Sequence, residues 1–375
     1  MGAGREGWLE VKISIDRADL AAALSFVAAM SPACPLQPVL AGVLLTAASG
    51  RLTLTVYDYE AAAETTIDAD ISAEGAAVVH AATLLRIVGK LPAKPVVFEA
   101  GERELLIRCG SVRASLPLMP VGECPQPTFD AEPLFSMSGA RFEDAVGRVA
   151  LAAAKSAPER PVIIGVHLAV SEGGVTLSAT DRYRVAMFAV ECATTGSATV
   201  AVPASVMREA AKSLGSSEEV SLALTSSGAV VFEGERGRLM SQTLAGNFPP
   251  VAGLFPQRAR STALIDVDAM SAATSRGALA LAPEDALQFT FSESECSLTG
   301  TGDASSIEDG FEVAFDGDLD LQVRLRPQLV LDGLSACRAT EVQAWFTHEP
   351  SSPRPGPVMF TAGDGYRYLM VANQK

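Results

Sequence analysis

The chain has no apolar run approaching the ~18 uninterrupted residues that cross a bilayer. Its first eight residues contain neither an apolar signal core nor the Ser or Thr of a myristoylation motif. A cytoplasmic protein with no membrane partner is expected. Histidine is scarce, with only His80, His167 and His348, each in a different part of the sequence. The cysteines at 34, 109, 124, 192, 296 and 337 include no Cys-x-x-Cys pair. No metal site is expected, and the thiols read as reduced, buried small hydrophobes. Gly-x-Ser-x-Gly, a phosphate loop, a dinucleotide glycine pattern and Ser-x-x-Lys are all missing. These absences argue against an enzyme and against a bound cofactor.

Basic residues are also short. Against 44 Asp and Glu there are 29 Lys and Arg, a formal charge of −15 over 375 residues. Affinity for DNA that rests on phosphate neutralisation is therefore disfavoured. The objection weakens for a protein that encircles DNA, because closure prevents escape and only the lining must tolerate phosphate. At this length the chain splits most naturally into two or three domains.

Internal repetition is the strongest feature present. Alternating strand-like segments start at 52 (Leu-Thr-Leu-Thr-Val-Tyr-Asp), 175 (Val-Thr-Leu-Ser-Ala-Thr-Asp) and 296 (Cys-Ser-Leu-Thr-Gly-Thr-Gly), in steps of 123 and 121. Each follows a short turn: Ser49-Gly50, Gly173-Gly174 or Glu293-Ser294. Helix-like segments start at His80, Pro203 and Arg326, both steps being 123, and Gly215 stands past the end of the second. Earlier helices are expected over 16–30, 138–155 and 266–280. Cys124-Pro125 and Phe248-Pro249 close the first two units, 124 apart. Polar, Pro-bearing joins near 130–133 and 256–262 give domains 1–130, 131–257 and 258–375. The expected class is α+β, with three tandem domains, each two helices packed on antiparallel sheet. An acid–base group of Asp181, Tyr183 and Arg184 is conceivable, but Asp58 and Gly302 occupy the same place in the other repeats, which favours a structural turn.

These repeats resemble the bacterial DNA polymerase III β subunit, or β sliding clamp, over the chain from about Leu9 to Met370. Residues 179–186, Ala-Thr-Asp-Arg-Tyr-Arg-Val-Ala, are similar to that family's Ala-Thr-Asp-Gly-His-Arg-Leu-Ala. Asn247-Phe248-Pro249-Pro250-Val251 through Phe255-Pro256 is similar to its Arg-Phe-Pro-Asp-Tyr through Leu-Pro. Arg17-Ala18-Asp19-Leu20 with Pro38-Val39-Leu40 matches its opening helix and strand entry. The resemblance implies half of a closed ring: a homodimer around double-stranded DNA, bound without regard to sequence, that tethers a DNA polymerase. The segment 108–113 is a candidate edge strand for the partner subunit.

The six helical segments carry eleven basic and eight acidic side chains, +3, leaving −18 elsewhere. A mildly basic hole inside an acidic shell fits that segregation. Its candidate DNA-facing cations are Arg86, Lys90, Arg141, Arg148, Lys155, Arg208, Lys212 and Arg276. The resemblance also implies a groove for linear peptides of the polymerase catalytic subunit, the clamp loader and other clamp-binding proteins. Carried over by position, it comprises Ile163, Thr180, Arg182, Tyr183, Arg184, Val185, Pro249, Leu254, Leu369, Met370 and Val371. Without the resemblance, Ile163, Val185 and Leu254 read as plain core. The departures fall on this groove: Arg182 for Gly, Tyr183 for His, Gly253 for a basic residue, and a tail, 371–375, lacking the usual Pro and Arg. They suggest either a divergent second clamp that tolerates a cyclic peptide antibiotic or a decoy clamp outside replication.

Overall fold

The computed structural model describes residues 11–32, 35–317, 321–347 and 356–373, so Cys34, His348 and the last two tail residues lie outside it. Among the described residues, six α-helices recur along the chain: α1 (Arg17–Ala28), α2 (Ala81–Val88), α3 (Gly139–Val149), α4 (Ala204–Leu214), α5 (Val267–Gly277) and α6 (Pro327–Cys337). Their starts follow local chemistry. Asp16 accepts from Ala18 N and Asp19 N, and Asp266 from Ala269 N, satisfying amides that have no intrahelical partner. The Nδ1 atom of His80 accepts from Thr83 N at 3.3 Å, and Pro327 opens α6. α6 stops where Arg338 enters the left-handed region at φ 49°. The third helix is shorter than the sequence suggests: after Val149 it tightens into a 3-10 turn over Ala150–Ala152. Lys155 therefore sits in a loop rather than on a helix.

Packing divides the chain into two compact units, Met1–Glu143 with Glu209–Thr243, and Asp144–Arg208 with Leu244–Lys375. The division falls inside the central sequence repeat, whose strands are shared between the units. In the first unit, Asp70–Ala73, Lys12–Ile15, Val96–Ala100, Glu104–Cys109 and Val112–Pro117 form one antiparallel sheet in that order. Residues 108–113 are thus a hairpin, with Gly110 at φ 58°, and the edge strand on that side of the sheet is Val112–Pro117. A second sheet runs from Ala131–Met137 through Val220–Thr225, Val230–Gly234 and Gly237–Ser241 to Ala61–Asp68, Arg51–Tyr57, Gly42–Ala48 and Gly75–His80. The alternation Leu52, Leu54, Val56 buries one face of its strand, as the period of two requires. α1 packs on that sheet and on α2, burying Leu20, Leu24 and Val27, each worth about 1.5–3 kcal/mol of transfer free energy.

The second unit is built on a twelve-stranded antiparallel sheet. Its seam joins Arg184–Glu191 of the central repeat to Tyr366–Met370 of the third, with Val185 opposite Leu369. The first unit repeats this seam: Ala62 faces Met240 where Ala61–Asp68 meets Gly237–Ser241. In the second unit α5 and α6 lie against each other, and α6 packs on Tyr366–Met370. Gly333 permits that approach, since a Cβ there would lie 2.6 Å from the Tyr368 ring.

Candidate functional site

The turn that leads into Arg184–Glu191 is held from several directions. Asp181 Oδ1 accepts from Tyr183 N and Arg184 N, each at 3.0 Å. Thr180 Oγ1 accepts from Arg182 N at 3.1 Å and donates to the Arg184 carbonyl at 2.7 Å. These bonds fix Arg182 at φ 78°, a conformation that costs an L-residue roughly 1–2 kcal/mol. The same device occurs one repeat earlier: Asp58 Oδ1 accepts from Glu60 N and Ala61 N, and Tyr59 sits at φ 75°. Asp181 is thus a turn-capping residue, and its place in the repeat explains its presence.

Arg184 anchors the turn from beneath. Its Nε donates to Asp181 Oδ2 at 3.0 Å, and its Nη1 donates to Asp332 and, at 3.4 Å, to Tyr368 Oη. Burial alone would lower the guanidinium's pKa; Tyr368, the Asp332 hydrogen bond and the Asp181 charge outweigh it and hold it above the ordinary value. The Tyr368 hydroxyl, raised by burial, donates to the Leu329 carbonyl at 2.9 Å. Arg184 is therefore committed internally and is not a free contact for a ligand.

Beside this turn lies an apolar cluster of Val185, Met187, Val251, Phe255, Met359 and Leu369, with Phe248 and Trp345 packed against it. Three large apolar side chains stand out in its vicinity: Leu254 precedes Phe255 in chain and is 57% exposed, Val371 is 46% exposed, and Tyr183 is 48% exposed. Val371 N donates to the Tyr183 carbonyl at 2.9 Å, so those two are neighbours. The Arg326 guanidinium lies 4.7 Å from the Tyr183 ring centroid, and that of Arg367 lies 4.9 Å from the Phe255 centroid. Buried apolar floor, exposed apolar rim and adjacent cations suit a linear peptide with an apolar anchor.

The sequence-derived groove residues divide accordingly. Arg182, Tyr183, Leu254 and Val371 are exposed; Val185 and Leu369 are floor; Pro249 is half-buried, its carbonyl accepting from Val251 N at 2.8 Å. Thr180 and Met370 are buried, Met370 completely, and support the seam. Ile163 belongs to a neighbouring cluster with Val162 and Ala201, which Phe248 also touches. Met187, Phe248, Val251, Phe255, Met359 and Trp345 complete the cluster and were missed, because residues from distant segments meet only through the seam. Phe248, Val251 and Phe255 left a signal, in the motif that runs from Phe248-Pro249 to Phe255-Pro256.

The candidate DNA-facing cations need one correction. Arg148 is 5% exposed and carries a structural load. Its Nη2 donates to the Cys337 carbonyl at 3.0 Å, its Nη1 bonds Asp364, and its Nε lies 3.4 Å from Asp144 Oδ2. The rings of Phe188 and Tyr366 lie 4.8 and 5.3 Å from its guanidinium carbon. Arg86, Lys90, Arg141, Lys155, Arg208, Lys212 and Arg276 are exposed. Arg208 donates to the Ala150 carbonyl at 3.0 Å, and Arg276 to Asp309 Oδ2 at 2.5 Å. Among the described residues no group of His, Cys, Asp and Glu is arranged to hold a metal ion, and no helix is long and apolar enough to cross a membrane.

Comparison with known proteins agrees with this architecture. The profile of the DNA polymerase III beta subunit N-terminal domain matches residues 11–128, and that of its central domain matches residues 136–250. The chain belongs to the DNA polymerase III beta subunit family, the beta sliding clamps. It is 34% identical over 373 residues to the beta sliding clamp of Streptomyces coelicolor, covering 96% of this chain and 98% of that protein. The beta sliding clamp homolog GriR of Streptomyces muensis is 28% identical over 344 residues, 90% of this chain and 91% of that one. Among solved structures, the Bacillus subtilis sliding clamp superposes with a TM-score of 0.90 at 19% identity, over 98% of this chain and 100% of that one. The Pseudomonas aeruginosa clamp bound to griselimycin gives 0.89 at 22% identity, over 98% and 100%.

Proposed function

We propose that this protein is a DNA sliding clamp: a non-catalytic homodimeric ring of six domains, three per chain, that encircles duplex DNA and tethers a DNA polymerase. The observation that carries the reading is the near full-length similarity to a beta sliding clamp, combined with an exposed apolar rim over a buried floor at the Tyr183–Val371 seam. Ring closure is supported by the edge strand Val112–Pro117, whose free backbone groups invite a second copy. Beside it, Ile87, Leu91 and Val112 line a groove that an apolar side chain of the second copy, such as the 80% exposed Leu279, can enter. The exposed cations Arg86, Lys90, Arg208 and Lys212 serve a lining that meets phosphates without reading sequence. The seam binds short peptides from the polymerase catalytic subunit, the clamp loader and other clamp-binding proteins.

The test is topological. Loaded by an ATP-driven clamp loader onto nicked circular DNA, the protein should co-elute with the circle and be lost when the circle is linearised. Retention on linear DNA, or a strictly monomeric species in sedimentation at micromolar concentration, would falsify the ring.

A second reading concerns the ligand that the seam excludes. The similarity to GriR, the likeness to a clamp that binds griselimycin, and an exposed arginine at a strained turn support a clamp altered against a cyclic peptide antibiotic. A rigid apolar ring laid over Arg182 would desolvate a cation without supplying a partner. Affinities for a natural clamp-binding peptide and for griselimycin, compared between this protein and Arg182→Gly, decide it. An unchanged ratio of the two affinities removes the idea.

A further inference from the structure

Each unit closes one seam between repeats, and the two seams share a register. Just after the turn of each repeat, Ala62 faces Tyr57, Val185 faces Thr180 and Ser306 faces Thr301, so these three positions are equivalent. Across the first seam Ala62 meets Met240, and across the second Val185 meets Leu369. Two residues further along, Glu64 pairs with Arg238 at 2.6 Å and Met187 faces Arg367. The answering strands therefore read Arg-Leu-Met over 238–240 and Arg-Tyr-Leu over 367–369. Val112–Pro117 holds Arg113-Ala114-Ser115 in the same place, after a two-residue turn like the one before Gly237.

One strand of each kind is left over. Among the described residues, Val112–Pro117 pairs only with Glu104–Cys109, and over 306–312 the strand Ser306–Asp316 pairs only with Glu295–Thr301. Opposite charges stand unpaired on these two edges. Arg113 is exposed and donates only to the Gly110 and Val112 carbonyls of its own hairpin, at 2.9 and 3.0 Å. Glu308 is exposed, and neither residue makes an ion pair among the described residues, whereas the next acid, Asp309, is taken by Arg276. We infer that when two copies join these edges, Arg113 faces the partner subunit's Glu308 and Ser115 faces the partner subunit's Ser306. The closing seam then keeps the Arg–Glu rung of the first seam but lacks the apolar rung, Ala–Met or Val–Leu, that both seams within the chain possess. Opposite charges across two strands stabilise their pairing and like charges oppose it, so this rung also sets register. A slip of two residues would leave Arg113 opposite Ser306 or Gly310 instead. The inference rests on the ring reading proposed above.

Dissociation of the full-length protein on dilution, followed by analytical ultracentrifugation, tests the pairing. Arg113→Glu or Glu308→Arg should each weaken the dimer about fivefold per seam, and a closed ring of two copies has two such seams, so about 25-fold in all. Both substitutions in one chain should restore the affinity to within about fivefold of the unaltered protein. Mixed with the unaltered protein, that double variant should form few mixed dimers in native mass spectrometry, because like charges then face each other at both seams. Ser115→Met with Ser306→Ala rebuilds the Ala62–Met240 rung at the closing seam and should tighten the dimer at least about tenfold. Single charge reversals that leave the dimer unchanged, a double variant that does not recover, statistical mixing, or no tightening from the rebuilt rung overturns the register and leaves the ring standing. A monomeric unaltered protein overturns the ring, and this inference with it.

Discussion

Replacing Arg148 by methionine removes a charge while keeping most of the volume, and separates the two roles assigned to this residue. The side chain is 6% exposed, whereas its partners Asp144 and Asp364 are 32% and 41% exposed. Breaking a fully buried pair typically costs 3–5 kcal/mol. Water reaches both carboxylates here, which moves the electrostatic loss to about 2 kcal/mol. The Cys337 carbonyl loses its buried donor, adding roughly 1 kcal/mol. The contacts with Phe188 and Tyr366 survive in part, because a thioether also favours aromatic rings. The expected loss is about 3 kcal/mol in the second unit.

Urea unfolding followed by tryptophan fluorescence should show it, since Trp345 lies in that unit. Protein concentration must be held fixed, because assembly adds its own stabilisation. Asp364→Asn alone should cost about 1 kcal/mol. In the double variant the two losses should combine less than additively, because they break one pair. A surface cation would behave oppositely: Arg148→Met would leave the urea midpoint in place and weaken contact with DNA. A midpoint shift equivalent to less than about 1 kcal/mol refutes the buried-network account.

Three further outcomes follow from the same packing. Asp181→Ala strips the cap from its turn and one of the two carboxylates from largely buried Arg184, so it should cost about 2–3 kcal/mol in urea unfolding. Its counterpart Asp58→Ala, which loses only a cap, should cost about 1 kcal/mol. Gly333→Ala should lose about 1–3 kcal/mol by calorimetry, because its Cβ meets the rigid Tyr368 ring rather than a flexible side chain. His167 is half-buried and stacked on Phe248 at 4.5 Å, and burial lowers its pKa below the usual 6.5. The folded state therefore binds its proton less readily than the unfolded chain. The stability it contributes is complete above pH 6.5 and declines as acid approaches the lowered value. His167→Gln should flatten stability between pH 7 and 5, measured by thermal melts in matched buffers.

Much of this architecture was legible in the sequence because the chain states it more than once. Strand starts recurred at 52, 175 and 296, and the observed strands begin at 51, 174 and 295. Helix starts carried chemical marks, such as Asp16, Asp266 and Pro327. Two misreadings had physical causes. The segment 108–113 has strand-like residues on both sides, but Gly110 supplies the positive φ of a hairpin. Arg148 lies on a helix among other basic residues, and nothing near it in sequence announces burial. Its surroundings, Cys337, Asp364 and Tyr366, arrive about two hundred residues later. The groove was legible only through resemblance, since by pattern Ile163, Val185 and Leu254 read as plain core.

That separation has a consequence in time. Arg148 and Asp364 are 216 positions apart. At the roughly 5–20 residues per second of bacterial synthesis, Asp364 is made about 10–40 s after Arg148. Throughout that interval the strand Arg184–Glu191 has no Tyr366–Met370 beside it, and the Arg148 guanidinium lacks Asp364, while the Cys337 carbonyl, 189 positions after Arg148, exists only near its end. The seam proposed above as a peptide-docking site is then a bare sheet edge on a chain still attached to the ribosome. A peptide-bearing partner can dock there only after the last strand is in place. The nascent half-seam is thus where a chaperone would bind, and ribosome-stalled chains ending before Tyr366 should be far more protease-sensitive over residues 184–191 than chains extended past Met370.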